Sequence, residues 1–341
     1  MGEASQKMNL EEVARRAKVS TATVSRVVNN AGVVRSSTRA RVMKVIADLN
    51  YHPNLHARSL AAGKSRTLGI VVSNMENPFF FDIVCQVESA AHHRGYEIVV
   101  ANTNYEAEQL VKSIRLMVGR RVAGLAAIVS EMEPGIIDEL VACRLPVVFY
   151  DVGTARQNIT NIRLNYRKGM EKLADYLYVL GHNKRIAFAG HHINLAPLDE
   201  RRQALVDAFQ RLSPEGEVKT FTGTDNLEGG WRVAREIFAS GFNPTAIVCA
   251  NDFMAVGVLR ALREEGISVP SDISVTGLDN IKLSEFCYPT LSTVHVPRER
   301  IGHIVFEKLI AGAENAATDG CEFLIDPDFI LRQSTGPARR S

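Results

Sequence analysis

From Leu68 onward the chain repeats one pattern, short apolar runs separated by amphipathic stretches, and this constrains the fold more than any other feature. Strands are expected at 68–72, 97–101, 124–129, 146–150, 185–189, 246–249 and 273–277. Helical periodicity fills the intervals at 79–94, 106–120, 134–143, 167–180, 199–211, 229–240 and 252–266. Short continuous apolar strands joined by helices mean parallel sheets covered on both faces. The roughly 270 residues involved exceed one comfortable sheet, so two α/β lobes are expected. Ligands of such folds bind beyond the carboxyl ends of the strands, and two facing lobes make a hinged, ligand-sensing cleft there.

The first 66 residues differ in character. They hold 12 Lys+Arg against 4 Asp+Glu, whereas the remainder holds 28 against 34. A basic module attached to a mildly acidic body points to a polyanionic partner. Three short helices fit this module. The first is capped at Asn9 with Glu12 returning the bond, and buries Leu10, Val13, Ala14 and Ala17. The second follows Ser20, with Val24, Val27 and Val28 inward and small hydroxyls plus Arg26 outward. The third is expected to be capped at Ser36 and to bury Val42, Val45, Ile46 and Leu49. A short polar helix behind a short amphipathic one is the geometry that enters a DNA major groove. Residues 54–62 have the length of two helical turns before Gly63, too few to be stable in water alone, so this segment is expected to fold on docking.

With 46% apolar and 23% charged residues the chain is not globally disordered. Five scattered cysteines, none in Cys-x-x-Cys spacing, fit reduced thiols. The polar start at 1–7 lacks a signal-peptide core, and the longest apolar run, 122–129, is too short to span a bilayer. A cytoplasmic protein without membrane association is expected. Enzyme motifs are missing: there is no Gly-x-Gly, no Gly-x-Ser-x-Gly and no His-Glu-x-x-His. Gly63-Lys64-Ser65 mimics a P-loop end, but Arg58 stands where its first glycine belongs. His52 and His56 have metal-ligand spacing, yet Pro53 interrupts them and no third ligand is evident. No catalytic residue, cofactor or metal is expected.

Val13-Ala14, Thr23-Val24-Ser25-Arg26-Val27-Val28-Asn29, Leu49-Asn50-Tyr51, Asn77-Pro78-Phe79-Phe80, Asn251-Asp252, Gly277-Leu278-Asp279-Asn280 and Gln333-Ser334-Thr335 occur in this order. So arranged, the chain closely resembles the LacI/GalR family of bacterial transcription repressors along essentially its whole length. The resemblance implies a helix-turn-helix domain over 1–52 and a hinge helix with linker over 53–66. It implies a periplasmic-binding-protein-like α/β body over 67–336 and a tail at 337–341. The first lobe is expected at about 67–162 and 291–320, the second at about 163–290 and 321–336. Partners implied are a second copy of the chain, pseudo-palindromic double-stranded operator DNA and a small polar effector, a sugar or polyol. The competing reading is a solute-binding protein of the same two-lobed form without DNA function.

Carried over by position, Thr21, Ala22, Ser25 and Arg26 face the groove. Arg26 is the candidate for bidentate contact to guanine, while small Thr21 and Ala22 suit a thymine methyl. Ser20, Thr23, Ser25 and Asn29 are candidates for phosphate contact, although local capping is an equally physical role and the preferred one for Ser20. Leu10 completes this set. On the hinge, Ala57 permits close approach and Leu60 is the implied minor-groove wedge. In the cleft the resemblance points to Asp151, Arg201, Asn251, Asp252 and Asp279, with Phe79 and Phe80 as wall or core and Ser130 beside them. Asp225 stands where the purine-sensing relative has an aromatic residue, which disfavours a stacked nucleobase. His191 and His192 replace small residues and either line the pocket or form a solvated loop. The family's C-terminal tetramerising heptads do not appear, so a dimer is expected. Leu60→Ala should lower operator affinity and reduce DNA bending in a gel-phasing assay while the body's melting stays unchanged; full affinity and full bending would refute the wedge.

Overall fold

The computed structural model describes residues 10–28, 32–51, 65–133, 135–193, 195–315 and 319–339. The chain divides into two compact units, Met1–Ser65 and Arg66–Ser341.

In the first unit, α1 (Leu10–Ala17), α2 (Thr21–Val28) and α3 (Ser36–Asp48) enclose a small core of Val13, Ala14, Ala17, Val24, Val27, Val42 and Leu49. Lys18 takes the left-handed conformation that ends α1, and Val19 N–H bonds back to Ala14 O at 3.0 Å. Ser20 Oγ accepts from Thr23 N–H at 3.2 Å, so Ser20 caps α2. Arg39 of α3 closes the other end, donating to Val27 O at 3.4 Å. The expected cap at Ser36 is displaced. Arg35 holds the extended cap conformation, makes no side-chain cap bond, and leaves Ser36 as the first helical residue. Val45, Ile46 and Leu10 are only partly buried, because three short helices offer too little surface to cover them. Asn9 lies outside the described residues. Among the described residues Glu12 pairs with Arg15 and Arg16 at 2.6 and 2.8 Å.

The second unit contains two six-stranded sheets. β1 (Thr67–Val72), β2 (Glu97–Asn102), β3 (Gly124–Ile128), β4 (Val147–Tyr150), β5 (Ile159–Leu164) and β11 (Glu322–Ile325) form the first, in the order β11-β5-β4-β3-β1-β2. β6 (Arg185–His191), β7 (Glu217–Gly223), β8 (Ala246–Cys249), β9 (Ser274–Asp279), β10 (Ser292–His295) and β12 (Asp328–Ile330) form the second, ordered β12-β10-β9-β8-β6-β7. Every pairing is parallel except β10 with β12. The expected lobe boundaries are therefore crossed at the C-terminal end. β10, assigned from sequence to the first lobe, lies in the second sheet, and β11, assigned to the second lobe, edges the first. Both strands are four residues long, and nothing local to either marks its sheet.

Helices cover both faces of each sheet, as buried strands require. α4 (Pro78–His93) and α12 (Arg298–Glu314) pack on one side of the first sheet, with α5 (Ala107–Gly119) and α6 (Ile136–Cys143) on the other. The second sheet lies between α7 (Tyr166–Val179) with α8 (Ala196–Leu212) and α9 (Leu227–Ala239) with α10 (Asp252–Glu264). α11 (Leu283–Phe286) is a single turn. Asparagines start four of these helices: the side chains of Asn77, Asn165, Asn226 and Asn251 accept from Phe79, Lys168, Gly229 and Met254 N–H. Among the described residues no helix is long and apolar enough to cross a membrane.

Close packing of α9 on α10 depends on two glycines. A Cβ on Gly230 would lie 2.0 Å from Met254 O, and one on Gly257 would lie 1.9 Å from Leu227 O. Backbone cannot yield as a side-chain tip can. Gly257→Ala should cost at least about 1–3 kcal/mol in urea unfolding. Gly119→Ala, whose Cβ meets nothing within 4 Å, should be neutral or stabilising; equal behaviour of the two would contradict this packing.

Candidate functional site

On the first unit, Thr21, Ala22 and Arg26 are exposed on one face of α2, opposite buried Val24 and Val27. Ser20 is exposed too, but its hydroxyl is engaged by Thr23 N–H and lies 3.0 Å from Thr23 Oγ1. Thr23 and Ser25 are half-buried, and Leu10 packs partly into the bundle core. Asn29, Ala57 and Leu60 lie outside the described residues.

In the second unit the strand ends of both lobes converge on a cleft lined by Phe79, Phe80, Tyr105, Ser130, Tyr150, Arg201, Asp225, Asn251 and Asp279, with His191 at its rim. The lobes are closed on each other. The remaining space is about 20 Å³, room for one water molecule.

Arg201 projects from α8 and is only 6% exposed. Its guanidinium donates to Ala250 O at 3.2 Å and Tyr166 Oη at 2.8 Å, and lies 4.7 Å from the Tyr166 ring centroid. Tyr166 in turn donates to Asp151, whose other oxygen accepts from Leu164 N–H at 3.0 Å. Burial is the largest influence on Arg201 and disfavours its charge, but Tyr166, Asp279, Tyr150 and Asp151 together outweigh it. Arg201 therefore stays charged while its Nε has no partner among the described residues.

Asp279 at the end of β9 is 2% exposed, and its Oδ1 is likewise unpartnered among the described residues. Burial raises its carboxyl well above the usual range, with Arg201 opposing. Its backbone is strained at φ 109°, and Asn280 follows at 56°. Arg298 holds both, donating to the carbonyls of Asp279 and Asn280 while pairing with Asp82 of α4 at 3.0 Å. Tyr105, at φ 65°, follows Asn104 at 53°. Strain of about 1–3 kcal/mol per residue persists only where the surroundings over-determine it, which is typical of functional sites.

Two expected cleft residues stand behind the lining. Asp151 orients Tyr166 rather than facing the space. Asp252 accepts from Thr293 Oγ1 at 2.6 Å and Ile281 N–H at 2.8 Å, tying the β9–α11 loop to β10. Of the two histidines, His191 lines the cleft against Tyr105, with ring centroids 4.9 Å apart. His192 is exposed and stacks on His191. Sequence reasoning missed Asn77, Tyr105, Tyr150 and Tyr166. Asn77 and Tyr166 stand at helix starts, as does Asn251, which the family resemblance supplied; nothing local marks Tyr105.

Residues 9–54 match the model of bacterial regulatory proteins of the lacI family, and residues 174–335 match a periplasmic binding protein-like domain. The HTH-type transcriptional repressor PurR of Vibrio cholerae is 32% identical over 339 residues, 97% of this chain and 99% of that protein. PurR of Vibrio parahaemolyticus is 33% identical, over 95% and 98%. The lac repressor dimer bound to operator and the anti-inducer ONPF superposes with a TM-score of 0.81 at 27% identity, covering 97% of this chain and 100% of that one. The CelR–cellobiose complex gives 0.66 at 25%, covering 96% and 100%. A helix-turn-helix unit followed by such a body defines a DNA-binding transcription regulator, not an enzyme. The chain belongs to the lacI family of bacterial regulatory proteins. A solute-binding protein without DNA function is thereby overruled.

Burial raises the Asp252 carboxyl from 3.8 to about 7, and that of Asp151 to about 6. The folded state holds these protons more tightly than the unfolded chain does. Their contribution to stability is therefore full below about pH 4 and declines as pH rises toward 6 and 7. Asp252→Asn should flatten part of that decline in urea midpoints measured from pH 4 to 8; an unchanged slope would contradict the burial.

Proposed function

We propose that the chain represses transcription as a homodimer on a pseudo-palindromic operator, and that a small polar effector in the inter-lobe cleft switches its affinity. Repression takes its support from the PurR relatives, and the dimer from the lac repressor dimer. Thr21, Ala22 and Arg26 read bases, with Arg26 paired to a guanine. Ser25, Asn29 and the rest of the basic module hold phosphates. Leu10 supports α2 from the core side, and Leu60 wedges the central minor-groove step.

The observation that carries the effector reading is that Arg201 Nε and Asp279 Oδ1 are buried and unpartnered among the described residues, as is Tyr150 Oη beside them. Arg201 supplies a donor and Asp279 an acceptor, the complement of a hydroxyl or of adjacent hydroxyls on a sugar or polyol. Asn251, Ser130 and Tyr150 add polar partners, while Phe79 and Phe80 supply an apolar wall. Asp151 and Asp252 act behind the site, not on the ligand. A second reading, a purine-type effector, takes its support from the PurR relatives; the polar Asp225 side chain in the cleft weighs against a flat base.

Calorimetric titration with sugars, polyols, hypoxanthine and guanine decides between them. A polyhydroxy ligand whose binding is lost in Arg201→Ala supports the first reading, and a base alone binding supports the second. On the DNA side, Arg26→Ala should lose about 1–3 kcal/mol of discrimination at one base pair. Operator affinity should fall steeply with salt. Uniform weakening across all sequences would assign Arg26 to phosphate instead.

A further inference from the structure

One carboxylate in the cleft is satisfied entirely by side chains that converge on it from both lobes. Asp225 precedes α9 on the second lobe and is 6% exposed. Its Oδ2 accepts from Asn77 Nδ2 at 3.3 Å and from the Tyr105 hydroxyl; Asn74 Nδ2 lies 3.4 Å from the same oxygen and 3.0 Å from the Asp225 carbonyl. Oδ1 accepts from Asn251 Nδ2. Three of these donors belong to the first lobe and one to the second.

The donors are held in place independently of Asp225. Asn77 is fixed as the cap of α4 and Asn251 as the cap of α10, each through its own Oδ1, so both amide nitrogens point onward. Tyr105 is carried by two consecutive left-handed residues, and the loop before it is anchored through Thr103 on buried Glu131, which also accepts from Ser73 at 2.6 Å. Four neutral donors prearranged around one point with no cation among them form a receptor for a carboxylate.

We propose that Asn74, Asn77, Tyr105 and Asn251 constitute a carboxylate subsite of the inter-lobe cleft, occupied by the protein's own Asp225. Asp225 then acts as an internal ligand that keeps the lobes closed. An effector entering between the lobes must displace it, and the freed donors favour ligands bearing a carboxylate, such as sugar acids. This last consequence rests on the cleft being the effector site; the subsite itself does not.

The test reads lobe separation without DNA or effector. Spin labels are placed at K112C and E236C, exposed positions of the two lobes, in a Cys85→Ser, Cys143→Ser background, with labelled chains diluted into unlabelled protein. Electron–electron distance measurements on the full chain should give one closed population. Asp225→Ala should raise the open-to-closed ratio about ten-fold or more, the worth of a charge-assisted bond. Millimolar sodium formate, but not sodium chloride at the same ionic strength, should restore closure by filling the vacated donors. Tyr105→Phe should shift the ratio in the same direction as Asp225→Ala. A closed Asp225→Ala, an opened one that formate does not restore, or an unchanged Tyr105→Phe would each overturn the proposal. Should Asp225→Ala not fold, Tyr105→Phe alone decides. Formate rescue without binding of any sugar or purine would sink the effector reading and leave the subsite standing.

Discussion

A buried guanidinium sets the terms on which the body of this protein is built. Arg201 cannot shed its charge and is nearly sealed from water. A charge so placed is tolerated only when other groups neutralise and hydrogen-bond it. The chain answers with residues from separate elements: Tyr166 at the start of α7, Asp151 after β4, the Ala250 carbonyl after β8 and Asp279 at the end of β9. The cleft is thus an electrostatic assembly first and a ligand site second. Its unpartnered edges are the complement a polar molecule has to supply.

The same assembly links lobe geometry to backbone geometry. The chain crosses between lobes three times: from β5 to α7, from β10 to α12, and from β11 to β12. The first and third crossings are tied to each other. Asn165, which caps α7 at the first crossing, donates to Asp326 at the third, and Lys168 pairs with the same carboxylate at 2.5 Å. At the second crossing Arg298 donates from its two terminal nitrogens to the carbonyls of Asp279 and Asn280 and from its Nε to Asp82 of the first lobe. A ligand that alters Asp279 therefore acts on a residue wired to both lobes.

Much of this was legible in the residues. The recurrence of apolar runs identified seven of the strands and the paired-lobe architecture, because central parallel strands are buried on both faces and read as continuous apolar segments. The strands that escaped are the ones where that signal fails. β5 is buried but reads Ile-Thr-Asn-Ile-Arg-Leu, with polar residues breaking the apolar run, β7 is a largely exposed edge, β10 is Ser-Thr-Val-His, and β11 and β12 are only four and three residues long. The sheet membership of β10 and β11 is set by the crossings, which no local pattern encodes. In the cleft, the family resemblance pointed to Arg201, Asn251 and Asp279 but also to Asp151 and Asp252, whose carboxylates are bonded within the protein. Position locates a loop; only side-chain direction separates a lining residue from a brace. Tyr105 depends on an Asn104–Tyr105 backbone that sequence periodicity does not report.

The central claim is that the cleft and the DNA-reading helix are two sites of one thermodynamic switch. Coupling of that kind is reciprocal: whatever factor the effector applies to operator affinity, the operator must apply to effector affinity. Once an effector is in hand, the decisive measurement is its dissociation constant with and without saturating operator, set against the operator constant with and without saturating effector. The account predicts equal factors in the two directions, each well away from one. An effector affinity that operator DNA leaves unchanged would contradict it.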